Sequence, residues 1–465
     1  MVSDAYESEA QGAPAFTGTA RYEVRRRLGA GSFGVVYEAF DRARNSAVAL
    51  KWLRYADAEA IFRFKNEFRS LADISHPNLV TLFDLEADDD RWFFTMELVR
   101  GEPVASYLRP ESMPIAGSTG AGSSTVMRRR AERLRAAAEA AAQTLRPGAP
   151  RPLDVDANEV REVFGQLALG VAALHDAGKL HRDLKCQNVL VPPAGRALRL
   201  DCGMVRELRA AQRADALDLA GTPPYMAPEQ CAGAPVDRPA DWYAFGVMLY
   251  RALTGELPFT GRTFEVMAAK QRRDASAPSE LVRDVPRELD ALCAALLRRD
   301  PDARPDGAAV LAALGAEPRA RASYPTLEAE VFVGRRRELR ALEAARRRVR
   351  DGCPTAVYVH GPSGIGKTAL VRHFLGRVLS DDPRALVLSG RCYERETLPY
   401  KALDSVVDDL AEQVSRWEPA EQAAVVPRDA QELVQVFPTL ARIGAFSDAT
   451  RAGAAAAASR APATV

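Results

Sequence analysis

The sequence predicts an α+β chain in two folded parts. A small β-rich lobe leads into a larger helical lobe, and a partial α/β unit built on a phosphate loop follows. Three observations predict this. Short β-rich runs surround a glycine-rich turn between Tyr22 and about Lys51. Helical patterns dominate from about residue 159 onward. A second glycine-rich run, GPSGIGKT at 361–368, stands between an apolar strand-like run and a helical one. With 465 residues the chain exceeds one ordinary domain, so two to three are expected.

Composition narrows the class. Hydrophobic residues make up 47%, enough for sizeable cores, and 63 basic residues nearly balance 62 acidic ones, for a net charge of +1. That balance argues against a general nucleic-acid binder or a binder of acidic membranes. The six cysteines form no CxxC pair or zinc-type cluster, which fits free thiols in a reducing compartment. No apolar run is long enough to span a bilayer, and the N-terminus MVSDAYESEA is too polar for a secretory signal. The expectation is a soluble cytoplasmic protein.

In chain order, residues 1–20 lack periodicity and read as a disordered tail. GVVYEAF and SAVALKWL are strand-like. Residues 57–73 carry Ile61, Phe64, Phe68 and Leu71 at helical spacing, and LVTLFDLEA and RWFFTMEL return to strand. Residues 113–150 read as an Ala/Arg-rich insertion with a flexible start. Helices follow from 159, with short strands near NVLV and LRL. Residues 311–330, rich in Ala, Arg and Pro, read as a linker. A partial phosphate-loop unit occupies 331–445, and 446–465 is a low-complexity tail.

The first chemical site begins at LGAGSFGVV, 28–36. Its GxGxxG spacing also occurs in dinucleotide folds, but there the glycine turn opens a helix, whereas here a strand enters and a strand leaves. Gly29, Gly31 and Gly34 let backbone approach phosphates without Cβ clashes. Lys51 follows in VALK and Glu67 on the next helix, a pair able to fix an ammonium against two phosphates. MEL at 96–98 connects the lobes and offers its backbone to an adenine edge, with Met96 beside the pocket. HRDLKCQN, 181–188, supplies Asp183, Lys185 and Asn188, and DCG supplies Asp201. A carboxylate and an amide oxygen are hard ligands suited to Mg²⁺.

With these residues in this order, residues 21–310 resemble a protein kinase domain of the bacterial eukaryotic-like Ser/Thr type. The likeness rests on LGAGSFGVV, VALK, HRDLKCQN, DCG, GTPPYMAPE, DWYAFG and the Arg304 of DARP. It implies a bilobal kinase fold and transfer of the ATP γ-phosphoryl group to Ser/Thr of proteins. The nucleotide site it implies runs over Leu28, Gly29, Gly31, Gly34, Val36, Ala49, Lys51, Glu67, Met96, Glu97 and Leu98. Asp183 would orient the acceptor hydroxyl and take its proton, and Lys185 would neutralise the transferring phosphate. Asn188 and Asp201 would hold Mg²⁺. Glu229 and Arg304 would form an ion pair in the large lobe.

Two positions depart from the family pattern. Cys202 replaces the aromatic of DFG, which implies looser coupling between the Glu67 helix and the metal site, and Cys186 replaces a proline. Between Cys202 and Gly221 there is no Ser, Thr or Tyr, while Asp218 stands four residues before Thr222. The resemblance implies an activating phosphosite at that position. Asp218 could supply part of a phosphate's charge to Arg182, or it is simply solvated. Thr222 reads as a contact at the substrate site rather than a switch.

The second site is GPSGIGKT. Backbone N–H groups and a helix N-terminus would cradle phosphates around Gly361, Gly364 and Gly366, with Lys367 reaching the outer phosphates and Thr368 the Mg²⁺. It follows the strand-like TAVYVH, and a further strand is expected at ALVLSG. With VFVGRRREL and GRCYERETLPYKAL it resembles the P-loop ATPase module of AAA/STAND-type regulators. Hydrolysis needs an acid ending a second apolar strand. The local candidate, SVVDD at 405–409, lies where Leu403, Val406, Val407, Leu410 and Val414 repeat at helical spacing, so it reads as helix. Nucleotide binding without hydrolysis is the expectation.

Three function readings follow: an active Ser/Thr kinase with a nucleotide-binding regulatory module, an inactive-kinase scaffold, and an ATP-dependent STAND switch. The intact Lys51, Asp183, Asn188 and Asp201 favour the first over the second, and the missing acidic strand weighs against the third. Protein substrates and ATP are the expected partners.

Overall fold

The computed structural model describes residues 16–31, 34–54, 56–72, 74–88, 91–109, 150–192, 199–200, 206–207, 222–317, 334–362, 365–382, 384–392 and 395–451. Residues 113–149 of the 113–150 insertion, the DCG segment with Asp201, Asp218 and Gly364 all lie outside the described residues.

The small lobe is a five-stranded antiparallel sheet. Its strands are β1 (Tyr22–Gly31), β2 (Gly34–Asp41), β3 (Ser46–Leu53), β4 (Leu82–Asp88) and β5 (Arg91–Glu97), in the order β1-β2-β3-β5-β4. Period-two alternation places Val48 and Leu50 on one face, where they meet Tyr37, Trp52 and Phe93 in a cluster closed by Phe16. Phe16 is 3% exposed. The end of the expected N-terminal tail is therefore seated on the lobe, because a ring beside three aromatics buries more apolar area than it does in solvent.

Helix α1 (Ala58–Ala72) packs Phe64 and Phe68 on Phe94 of β5, as the apolar spacing predicts. The large lobe is helical, built on α2 (Ala157–Asp176) and the largely buried α3 (Arg238–Thr254), with α4 (Thr263–Arg272), α5 (Arg287–Leu296) and α6 (Gly307–Leu314) around them. Asp156 caps α2 through the amides of Asn158 and Glu159. Val310, Leu311 and Leu314 of α6 are buried, so the large lobe continues past residue 310, where the composition suggested a linker.

Beyond the linker, α7 (Arg336–Arg350), α8 (Lys367–Asp381), α9 (Lys401–Val414), α10 (Pro419–Val425) and α11 (Ala430–Val436) are helical. The expected strands at 355–360 and 385–390 belong to no sheet ladder. Val357 is 49% and Tyr358 89% exposed. A strand is defined by its paired backbone groups, and among the described residues no neighbouring strand offers that pairing. SVVDD is helical, as its spacing predicts, but the buried positions of the helix mix Ala411 and Val414 with two acids. Leu403 is exposed, while Asp404 and Asp408 are buried.

Candidate active site

The glycine-rich turn is closed by Gly31 pairing with Gly34 across β1 and β2. A Cβ at Gly34 would collide with the Trp52 carbonyl of β3, so this position requires glycine for close strand approach. A Cβ at Gly29 would meet nothing within 4 Å, which leaves backbone facing open space. Lys51 on β3 lies opposite Val36 on β2 and Phe94 on β5. Its ammonium forms an ion pair with Glu67 of α1 and lies 5.6 Å from the Phe94 ring centroid. Ala49 pairs with Met96, and both are buried. The Glu97 N–H donates to the Thr81 carbonyl at 2.9 Å, which fixes the start of the connection between lobes.

The candidate catalytic residues of 181–188 meet Thr222 from a separate segment. Lys185 Nζ lies 2.7 Å from Asp183 Oδ2. The Thr222 hydroxyl donates to Asp183 Oδ1 at 2.9 Å and accepts from Lys185 Nζ at 3.1 Å. Asn188 Nδ2 donates to the Asp183 carbonyl at 3.0 Å and to its carboxylate at 3.2 Å. The amide nitrogen being committed, the Asn188 amide oxygen is the group left for a hard cation, which fits the chemistry of Mg²⁺.

The acid that anchors this loop, Asp241 near the start of α3, carried no role in the sequence reading. It is fully buried. Its Oδ2 accepts from the His181 N–H at 2.8 Å and lies 2.9 Å from His175 Nε2, and its Oδ1 accepts from the Arg182 N–H at 2.8 Å. Burial pushes the Asp241 carboxyl up, but the hydrogen bond and charge of His175, with the amides, outweigh it and hold the group below its ordinary value. Arg182 takes a left-handed backbone at φ 65°, a strained conformation that these amide bonds sustain. The signal was a carboxylate inside DWYAFG, otherwise an apolar helix. Lys270 of α4 was missed as well. Its ammonium donates to the carbonyls of Pro223, Pro224 and Met226 at 3.0, 2.8 and 2.7 Å and so holds the turn after Thr222. Glu229 and Arg304 pair in two parallel bonds of 2.8 and 2.7 Å.

The protein kinase domain profile matches residues 22–313. The chain belongs to the protein kinase family. The AAA ATPase domain profile matches residues 331–464. Among curated relatives of this chain is serine/threonine-protein kinase pkn2 of Myxococcus xanthus, 35% identical over 307 residues, which cover 63% of this chain and 32% of pkn2. PknL of Mycobacterium tuberculosis H37Rv is 32% identical over 286 residues, 60% of this chain and 61% of PknL. Pkn3 of Myxococcus xanthus is 28% identical over 349 residues, 72% of this chain and 52% of pkn3. The chain thus spans between about a third and three fifths of the length of these relatives.

The second phosphate loop is less assembled. Gly366 holds φ 89° at the start of α8, and Lys367 Nζ donates to the carbonyls of Gly361 and Pro362 at 2.9 Å each. Asp409 accepts from the Ser389 N–H at 2.7 Å, and Asp404 and Asp408 are turned away from the loop toward α1. Among the described residues no helix is long and apolar enough to cross a membrane, and the five described cysteines are free.

Proposed function

We propose that the chain is a serine/threonine protein kinase that transfers the γ-phosphoryl group of ATP to hydroxyls of cytoplasmic proteins, with a nucleotide-binding module after it. The observation that carries this reading is the Asp183–Lys185–Thr222 cluster standing in the same fold as a formed Lys51–Glu67 pair. The glycine turn with Leu28, Val36, Ala49 and Met96 encloses the base and phosphates. The backbone of Met96, Glu97 and Leu98 would offer its hydrogen bonds to the adenine edge. Lys51 draws two phosphates into register, because Glu67 fixes its ammonium.

An acceptor hydroxyl takes the place of the Thr222 hydroxyl at Asp183 Oδ1 and hands its proton there as its oxygen bonds the γ-phosphorus, while the bond from that phosphorus to the β–γ bridging oxygen breaks and ADP leaves with the electron pair. Lys185, beside the same carboxylate, neutralises charge on the equatorial oxygens. Asn188 would hold Mg²⁺ with Asp201, and the ion would supply charge neutralisation of the phosphates. At Gly361, Gly364, Gly366, Lys367 and Thr368 the module binds nucleotide without turnover, since its acids serve other contacts.

The test is autophosphorylation with labelled ATP. Lys51→Met and Asp183→Asn should each lower the rate by about 10³-fold or more, since each removes a contact made to the reacting groups. Full rate in either variant, or transfer to tyrosine alone, defeats the reading.

A further inference from the structure

Helix α1 buries a second face that the phosphoryl-transfer chemistry does not use. Lys65 and Arg69, one turn apart, stand two residues either side of Glu67 and therefore on the opposite side of the helix. Both are buried against α9 of the C-terminal module. Lys65 Nζ donates to Asp404 at 2.9 Å and Asp408 at 2.7 Å. Arg69 reaches Asp404 and Glu396 at 2.5 Å and Asp408 at 2.6 Å. The Thr439 hydroxyl donates to Asp408 at 2.6 Å. Two cations spaced i, i+4 thus face two acids spaced i, i+4, in a network whose charged side chains are between 0% and 7% exposed.

Two further contacts tie the same module to the small lobe. Leu85 of the edge strand β4 pairs in parallel with Glu396. Its N–H donates to the Arg395 carbonyl at 3.0 Å, and its carbonyl accepts from the Thr397 N–H at 3.1 Å. Arg442 bonds Glu59 at 2.6 Å and stacks 3.7 Å from the Phe62 ring centroid.

We propose that residues 395–446 form a clamp that sets the position of α1, with Asp404, Asp408 and Glu396 as positioning residues for the Lys51–Glu67 pair. The reading rests on the kinase activity proposed above. The physical reason is directional. When α1 rotates or swings outward Glu67 leaves Lys51, and either motion separates Lys65 and Arg69 from the buried acids and leaves those charges uncompensated. By linkage, ATP held by Lys51 stabilises the docked module to the same degree that the module favours the formed pair.

The test compares full-length wild type with Asp404→Asn/Asp408→Asn and with the milder Arg442→Gln. Autophosphorylation is followed against ATP concentration, and amide hydrogen exchange is followed over residues 58–72. The double variant should lower the rate at saturating ATP by about 5- to 150-fold, the range of ordinary coupling between sites. Exchange protection in α1 should fall while that of α3 is unchanged. Arg442→Gln should shift both readouts in the same direction by less. Wild-type rate and protection in both variants overturn the clamp. Protection lost equally in α3 marks general unfolding of the double variant. Arg442→Gln then decides, and it overturns the clamp if both its readouts match wild type. A wild type that transfers no phosphate defeats the kinase reading instead. Exchange alone then judges the clamp: unchanged protection of 58–72 in the double variant overturns it, and lost protection supports it.

Discussion

Thr222 shows how much chemistry one hydroxyl can order. It donates to Asp183 and accepts from Lys185, so it holds the carboxylate and the ammonium in one plane of contact before any acceptor arrives. Thr222→Ala removes both hydroxyl bonds and leaves Asp183 and Lys185 held by their own 2.7 Å contact. The expected outcome is a fall in kcat of about 10- to 100-fold with little change in the ATP KM, since misplacement of a catalytic group costs rate rather than binding. Thr222→Ser should keep most of the rate. A Thr222→Ala enzyme as fast as wild type would show that the two contacts are incidental. The sequence pointed to Thr222 as a substrate-site contact from its place in GTPPYMAPE, and these two bonds supply the geometry for that reading.

Helix α4 works at the next scale up. Its buried Lys270 holds three carbonyls of the turn that Thr222 begins, so one helix fixes one turn through one ammonium. Burial lowers Lys270 to about 8 from an ordinary value of 10.5. Between those two values the unfolded chain binds more protons than the folded one, so this group makes stability rise with pH from about 8 to 10.5. Below about pH 8 both states are protonated, and the full desolvation penalty stands. Lys270→Met should flatten that slope in denaturant titrations run at pH 7 and pH 10. It should also destabilise the protein by about 1–3 kcal/mol at pH 10, because the turn carbonyls lose their donor. An unchanged pH slope in the variant would sink the assignment.

For the whole molecule, the question is whether the two phosphate loops act on each other. Reading the chain as two domains across a linker leads to independence of the sites. The docked segment, however, is 395–446, and the loop at 361–368 stands outside it. Among the described residues, Lys367 bonds only carbonyls of its own loop, at 2.9 Å. Lys367→Ala should therefore weaken nucleotide binding at that loop and leave autophosphorylation within about twofold, as for uncoupled sites. The contrast with Asp404→Asn/Asp408→Asn separates the two parts of the module. Steady ATP hydrolysis that persists in Asp183→Asn but needs Lys367 would show that the second loop turns over after all.

The sequence by itself determined the bilobal fold and supplied most of the candidate site residues, though not Asp241 or Lys270. Lys51, Glu67, Asp183, Lys185 and Asn188 sit in local motifs, and the strands and helices between them carry apolar residues at period 2 or 3.6. Such signals are written in neighbouring residues, so they survive without knowledge of the rest of the chain. Only the tertiary structure decided where the acids of α9 go. The pattern Leu403, Val406, Val407, Leu410 and Val414 marks an apolar face, yet of these five Val414 alone is buried, and Asp404 and Asp408 are buried as well. Their partner Lys65 lies 339 residues before Asp404. A buried charge is tolerated only beside its counter-charge, and no local spacing records which distant cation will arrive. The same holds for the runs at 355–360 and 385–390. Their composition favours extended backbone, but a strand becomes a strand only when another one pairs with it.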